Sequence, residues 1–188
     1  MNVNSKLNKP IPIPNFIEQD EHKIEASISS LNVKVKKLSD TAILPTYGSE
    51  KAAGMDLYAD VKGMEGEQYK TGSVCVDKAY IGPGDCLKIP TGFAFELPEG
   101  YCTLLLARSG VATKKGLRPA NCVGLLDEDY RGNYIVAIRN DSNEMQVIEH
   151  GDRIAQLMFV PYVQASLEVS DKLSETDRGK GGFGHSGK

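Results

Sequence analysis

The sequence predicts an all-β fold of the sandwich, barrel or jelly-roll kind, with little helix. Short apolar runs are separated at close intervals by Gly/Pro turn signals, such as Gly82–Asp85 and Leu97–Gly100. Between residues 31 and 170 no window keeps a 3.6-residue apolar period over several turns, which argues against helices alternating with strands. The 188 residues are 40% hydrophobic, which is enough for one domain with a core.

The predicted elements follow in order along the chain. Val33–Lys36 alternates apolar and polar residues, the period of a half-buried strand. A short helix is predicted near Ser109–Lys114. The remaining strand candidates are apolar runs bounded by turn residues: Cys86–Pro90, Thr91–Phe95, Tyr101–Leu106, Asn133–Arg139, Arg153–Val160 and Val163–Val169.

Composition divides the chain into three parts. Residues 1–30 form an N-terminal extension that is first Pro- and Asn-rich and then suited to a short helix or a partner-dependent segment. Residues 31–170 form the β domain, with a longer loop at about 64–73. Residues 171–188 form a polar and then Gly-rich tail, which we expect to be mobile until a ligand binds it.

Charge and cysteine usage exclude several classes of protein. Lys and Arg total 22 against 25 Asp and Glu, so the basic excess of a nucleic-acid-binding domain is missing. No apolar stretch approaches the roughly 20 residues that span a bilayer, and the N-terminus lacks the apolar region of a secretory signal. We therefore expect a cytoplasmic protein with no membrane partner. The cysteines show no zinc-site spacing, which favours free buried thiols at Cys75, Cys86, Cys102 and Cys122.

Two segments suit phosphate chemistry. Arg108–Gly110 offers a fork of donors, a hydroxyl and an unobstructed N–H, although a solvent-exposed turn fits equally well. The tail segment Arg178–Gly184 can wrap a polyphosphate with successive N–H groups. Ala53–Leu57 and Gly151–Leu157 suit turns that enter strands, the second with a local Asp–Arg pair.

Asn121–Gly132 is more unusual, because an apolar strand ends in three consecutive carboxylates. If the extended conformation persists, Asp127 and Asp129 share one face and Glu128 lies on the other. A carboxylate beside an apolar strand can serve as a general base, although acidic tips of hairpins are also common.

Taken together and in this order, the five segments resemble the motifs of the trimeric dUTP nucleotidohydrolases (dUTPases), from about Val33 to the C-terminus. The resemblance implies a jelly-roll-like distorted β-barrel and a homotrimer with three active sites built at subunit contacts. It implies Mg²⁺-assisted hydrolysis of dUTP to dUMP and pyrophosphate, which limits uracil incorporation into DNA and supplies dUMP for thymidylate synthesis.

The resemblance also implies roles for individual residues. Asp127 orients and deprotonates the attacking water, Asp56 supports the site, and Tyr130 packs on the deoxyribose and crowds out a 2′-hydroxyl. Mg²⁺ is held by phosphate oxygens and waters, with no protein ligands. The other substrate-binding residues are Arg108, Ser109, Gly110 and Gln156 for the phosphate chain, Asn121, Leu125, Leu126 and Ile135 for uracil, and Arg178, Phe183 and Gly184 in the closing tail.

Two other interpretations stay open. A dCTP deaminase shares the fold but attacks the base, and such relatives use a Glu where this chain has the Asp127 segment. A nucleotide-gated interaction protein would contact a protein partner through residues 1–30 or 64–73, with dUTP as the switch. The sequence leaves cellular or viral origin open, and a viral protein would reside in the host-cell cytoplasm.

Overall fold

Thirteen short strands, one α-helix and one 3-10 helix make up the described part of the chain in a computed structural model, which covers residues 30–64, 72–75 and 77–182. The helices are α1 (Ser109–Lys115) and the 3-10 helix Val61–Met64. The strands are β1 (Lys34–Lys37), β2 (Thr46–Tyr47), β3 (Met55–Tyr58), β4 (Gly72–Cys75), β5 (Lys78–Ile81), β6 (Cys86–Pro90), β7 (Phe93–Glu96), β8 (Tyr101–Ala107), β9 (Leu117–Pro119), β10 (Gly124–Leu126), β11 (Ile135–Asn140), β12 (Gln146–Glu149) and β13 (Arg153–Pro161).

The described strands pair in four antiparallel sheets, which confirms the all-β prediction. The largest sheet has the order β10-β8-β13-β3-β2, and two three-stranded sheets have the orders β6-β11-β9 and β12-β5-β4. β1 pairs with β7 in a two-stranded sheet. β8 pairs with β13 along its whole length, from Ala107 opposite Ala155 to Tyr101 opposite Pro161. This central pair positions the segments that carry the candidate chemistry.

Burial alternates along β5, β6 and β11 as expected of half-buried strands. In β6 Leu87 and Ile89 are buried while Lys88 between them is exposed. Tyr134 is fully buried, stacks with Phe95 at a centroid distance of 4.5 Å, and accepts a hydrogen bond from Thr103 Oγ1 at 3.2 Å. Burial raises the pKa of the Tyr134 hydroxyl. The apolar side chains among these, Leu87, Ile89, Phe95 and Tyr134, belong to one hydrophobic core.

Several predicted elements are confirmed. β1, β6, β7, β8, β11 and β13 lie within about two residues of their predicted bounds, and α1 occupies the predicted helical segment. The chain also forms β5, β9 and β12, which the apolar pattern did not single out.

Three predictions are wrong. Val163–Val169 is not a strand, because β13 ends at Pro161 and the following backbone finds no partner strand among the described residues. Asp127 and Asp129 do not share an extended face, because a turn at 128–129 brings the Tyr130 N–H to the Asp127 carbonyl at 3.2 Å. The thiol of Cys102 is buried as expected, but Cys122 is exposed.

The three-part division of the chain stays a prediction. Most of the N-terminal extension and of the longer loop lies outside the described residues, as does the end of the tail. Within the part that the structure describes, no helix has the length and apolar character needed to cross a membrane.

Candidate active site

Asp56 organises a cluster of polar side chains at one end of the central sheet. It lies on β3, is only 3% exposed, and accepts a hydrogen bond from Arg108 Nε at 2.9 Å. Arg153 Nη1 donates to it at 3.2 Å and Gln156 Nε2 at 3.4 Å. A buried carboxylate needs such partners, and its charge in turn holds Arg108 in one direction. The expected local pairing of Asp152 with Arg153 is wrong, because Asp152 accepts from the Glu149 N–H instead.

Arg108 leads directly into the first turn of α1. Its own backbone is extended, and no side chain caps the N–H groups that open the helix. Ser109 is exposed, and a Cβ added at Gly110 would meet nothing within 4 Å. Space and free N–H groups therefore occur where the sequence places a phosphate-binding segment.

A pocket of about 320 Å³ opens beside this turn. Lys114 and Lys115 line it together with Arg108, Gly110 and Arg153, so cations dominate its charged side chains. The sequence interpretation did not assign Lys114, Lys115 or Arg153 to the site. Lys114 could have been found from the sequence, because it follows Gly110 by four residues in the predicted helix, and residues four apart lie on one helix face.

A second group of candidate residues lies on β10, at the start of β11, and in the loop 127–134 between them, which we call the acidic loop. Leu125 is 62% exposed, Ile135 41% and Tyr130 39%, so three large side chains face solvent here. The Tyr130 hydroxyl donates to the Asn133 carbonyl at 2.9 Å and fixes the ring across the loop. The segment is not a paired hairpin, because β10 pairs with β8 whereas β11 pairs with β6 and β9.

Asp127 lies far from the Asp56 cluster within one chain. Leu126 pairs with Thr103, so Asp127 continues toward Cys102, whose thiol pKa is raised by burial and by the Asp127 charge. Arg108 follows the opposite end of β8. The six residue steps from Cys102 to Arg108, at about 3.4 Å each, separate the two groups by about 20 Å.

The structure places the remaining predicted residues as follows. Asn121 is exposed and Leu126 half-buried, both beside β10. Arg178 is exposed, and its Nε donates to the Gly181 carbonyl at 2.9 Å within the tail. Phe183 and Gly184 lie outside the described residues.

No cluster of three or more His, Cys, Asp or Glu side chains that could hold a metal ion occurs among the described residues. The carboxylates of the site are separated: Asp56 is occupied by three donors and Asp127 is exposed about 20 Å away.

Comparison with known proteins gives one consistent result. A dUTPase family model matches residues 73–187. The chain is 41% identical over 160 residues to the deoxyuridine 5'-triphosphate nucleotidohydrolase of Syntrophotalea carbinolica, covering 85% of this chain and 99% of that protein.

Solved structures agree with the sequence comparison. A mutant of the Staphylococcus bacteriophage 80alpha dUTPase with dUpNHpp has a TM-score of 0.69 and 29% identity, covering 84% of this chain and 99% of that one. Another structure of that phage enzyme, at 28% identity and a TM-score of 0.66 over the same shares, concerns control of virulence-gene transfer by a proto-oncogenic G protein-like mechanism. On these matches and on the fold that accompanies them, the chain belongs to the dUTPase family.

Proposed function

We propose that this protein hydrolyses dUTP to dUMP and pyrophosphate. The observation that carries the proposal is the Arg108 guanidinium, which the buried Asp56 holds beside the uncapped first turn of α1. A fixed guanidinium next to free backbone N–H groups is an arrangement that binds phosphate oxygens. Gln156, on the neighbouring strand and bonded to the same carboxylate, extends the donor row.

Asp127 is the general base of the proposed reaction. It accepts a proton from water as the water oxygen bonds to the α-phosphorus, and the bond from that phosphorus to the oxygen bridging to the β-phosphorus breaks. Pyrophosphate leaves with that oxygen. A bound Mg²⁺ would supply neutralisation of the charge that develops on the phosphate chain, with phosphate oxygens and waters rather than side chains of this protein as its expected ligands. Arg108 and the N–H groups of Ser109 and Gly110 hold the chain in line for attack.

The acidic loop and β10 supply the nucleoside pocket in this proposal. The backbone of Leu125 and Leu126, with Asn121 and Ile135, binds the uracil edge, and Tyr130 packs on the deoxyribose. Exposure of Leu125, Tyr130 and Ile135 is compatible with this role, because it leaves their side chains available to a bound nucleoside. Arg178, Phe183 and Gly184 of the tail close over the bound nucleotide.

A homotrimer assembles the complete site. The separation of about 20 Å along the strands between Asp127 and Arg108 favours a site in which the two groups come from different chains. The segment after β13 supports exchange between chains. Val163, Leu167 and Val169 are 80%, 92% and 98% exposed, so this segment leaves apolar side chains available for contact with another subunit.

The deaminase alternative has less support than hydrolysis. The segment carries the Asp127 carboxylate where those relatives use a Glu, and the relatives that match this chain are named as dUTP nucleotidohydrolases. A protein partner that contacts residues 1–30 or 64–73 is compatible with catalysis and is a separate proposal, in line with the gene-transfer control described for the related phage enzyme.

The decisive experiment is incubation of the purified protein with Mg²⁺ and each of dUTP, dCTP, dTTP, dATP, dGTP and UTP, with products resolved by chromatography. The proposal predicts dUMP and pyrophosphate from dUTP alone. Formation of dUTP from dCTP would identify a deaminase instead. Nucleotide binding without any product would favour the interaction protein.

A further inference from the structure

Glu128 connects the acidic loop to two other parts of the chain. A single oxygen, Oε2, accepts hydrogen bonds from the Gly100 N–H at 2.7 Å and from the Tyr162 hydroxyl at 2.9 Å. Gly100 lies in the turn between β7 and β8, where its φ of +82° requires glycine. Tyr162 is the first residue after β13. Glu128 thereby fixes the loop to a turn and to the start of the C-terminal segment.

Two further hydrogen bonds, both to backbone carbonyls, hold the same junction. The Tyr162 N–H donates to the Gly100 carbonyl at 3.0 Å, and Arg131 Nη1 donates to the Glu128 carbonyl at 2.6 Å. The hydrogen bond to Glu128 is the main cause that raises the pKa of the Tyr162 hydroxyl. Hydrogen bonds therefore join the acidic loop, the turn between β7 and β8, and the start of the C-terminal segment to one another.

Asp127, by contrast, has no side-chain anchor. No donor among the described residues contacts its carboxylate, which is exposed. The direction of that carboxylate therefore depends on the backbone of the acidic loop. The Glu128 side chain constrains that backbone at the adjacent residue, since its two bonds fix both the position and the rotation of residue 128.

We propose that Glu128 is a positioning residue for Asp127, acting through its bonds to Gly100 and Tyr162. This inference rests on the proposed dUTP hydrolysis. Tyr162 lies where the C-terminal segment leaves β13. Its hydrogen bond to Glu128 therefore also fixes the start of that segment relative to the acidic loop, which carries Asp127. Displacing a reacting group by about 1 Å costs up to about 100-fold in rate.

The first test is steady-state kinetics of Glu128→Ala, Glu128→Gln and Tyr162→Phe with dUTP. Glu128→Ala is expected to lower kcat by about 10- to 100-fold with KM changed less than about threefold. The Gln amide oxygen can still accept both bonds, so Glu128→Gln restores kcat to within about threefold of the parent. Tyr162→Phe loses one hydroxyl and therefore one of the two bonds to Glu128, so its kcat should lie between those of Glu128→Ala and Glu128→Gln.

The matched control is Glu99→Gln. Glu99 is exposed, directly precedes Gly100, and makes no hydrogen bond through its side chain within the described chain. This variant changes charge by the same amount and should retain parental kcat and KM. In an Asp127→Asn background, Glu128→Ala should cause no further loss, because there is no base left to position. Parental kcat in Glu128→Ala, or a full additional loss in that background, would overturn the proposal.

A second measurement does not depend on activity. Trypsin cleaves after Arg131, so the rate of cleavage there reports opening of the acidic loop. Glu128→Ala and Tyr162→Phe should both accelerate this cleavage, whereas Glu99→Gln should not. If the parent protein did not hydrolyse dUTP but both variants were cleaved faster than the parent, the proposed hydrolysis would be refuted, whereas the anchoring of the acidic loop by Glu128 would stand. An active parent with unchanged cleavage in both variants would refute the anchoring alone.

Discussion

Replacing Gly110 with alanine should have opposite effects on stability and on substrate binding. Gly110 is the second residue of α1, and an added Cβ would meet nothing within 4 Å. Alanine in a helix is favoured over glycine by up to about 1 kcal/mol. For a chain of this length that corresponds to a rise in Tm of about 2–4 °C. The folded protein should therefore be slightly more stable.

Substrate binding should weaken in the same variant. If phosphate oxygens approach the Ser109 and Gly110 N–H groups, the new methyl group occupies part of their space. Loss of one hydrogen bond to a charged group costs about 1.5–3 kcal/mol, which is roughly a 10- to 100-fold loss of affinity. The assay is the KM for dUTP by pyrophosphate release, measured together with Tm by thermal scanning.

Thr113→Ala is the matched control for this prediction. Thr113 is exposed on the same helix, and its hydroxyl donates to the Ser109 carbonyl at 2.8 Å. Its replacement changes helix propensity without adding an atom beside Gly110, so KM should stay at the parental value. A raised Tm with an unchanged KM in Gly110→Ala would refute phosphate binding at this turn.

Three further substitutions test other parts of the site. Asp127→Asn should retain nucleotide binding and lose about 10²–10⁴-fold in kcat, because the amide cannot take the proton of water; a parental rate would remove Asp127 as the base. Tyr130→Ala should raise the efficiency for UTP relative to dUTP, and an unchanged ratio would remove Tyr130 from the sugar pocket. Asp56→Asn should lower stability by about 1–3 kcal/mol, because Arg108 and Arg153 lose their shared charge partner. Urea unfolding measures that loss, and a parental midpoint would contradict the account of the cluster.

The strands with clear alternation could be predicted from the sequence, whereas contacts distant along the chain could not. In β6, for example, the polar Lys88 between the apolar Leu87 and Ile89 shows the alternation that predicts a strand. By contrast, Asp56 bonds to Arg108 and Arg153, which lie 52 and 97 residues further along the chain. No local pattern encodes which arginine a buried carboxylate will meet, so the nearby Asp152 was the wrong partner for Arg153.

Two other differences have physical causes of the same kind. The apolar spacing of Val163, Leu167 and Val169 is that of a strand, but a strand forms only where a partner edge is available. The carboxylates at 127–129 do not continue the strand, because the turn and the two bonds to Glu128 Oε2 redirect the chain. Both outcomes depend on tertiary contacts, and the periodicity of residues along the chain carries no information about such contacts.

Assembly of the site from different chains is the central claim, and a mixture of two inactive variants tests it most directly. Asp127→Asn and Arg108→Gln chains are unfolded, mixed in equal amounts and refolded together, with each variant refolded alone as a control. Half of the Asp127 positions and half of the Arg108 positions are then intact, so random assembly leaves about a quarter of the sites complete. We predict recovery of about a quarter of the parental activity in the refolded mixture as a whole, and about a third in mixed trimers separated from it. Activity no higher than that of the separate variants would show that Asp127 and Arg108 of the same chain serve one site, and would contradict the account.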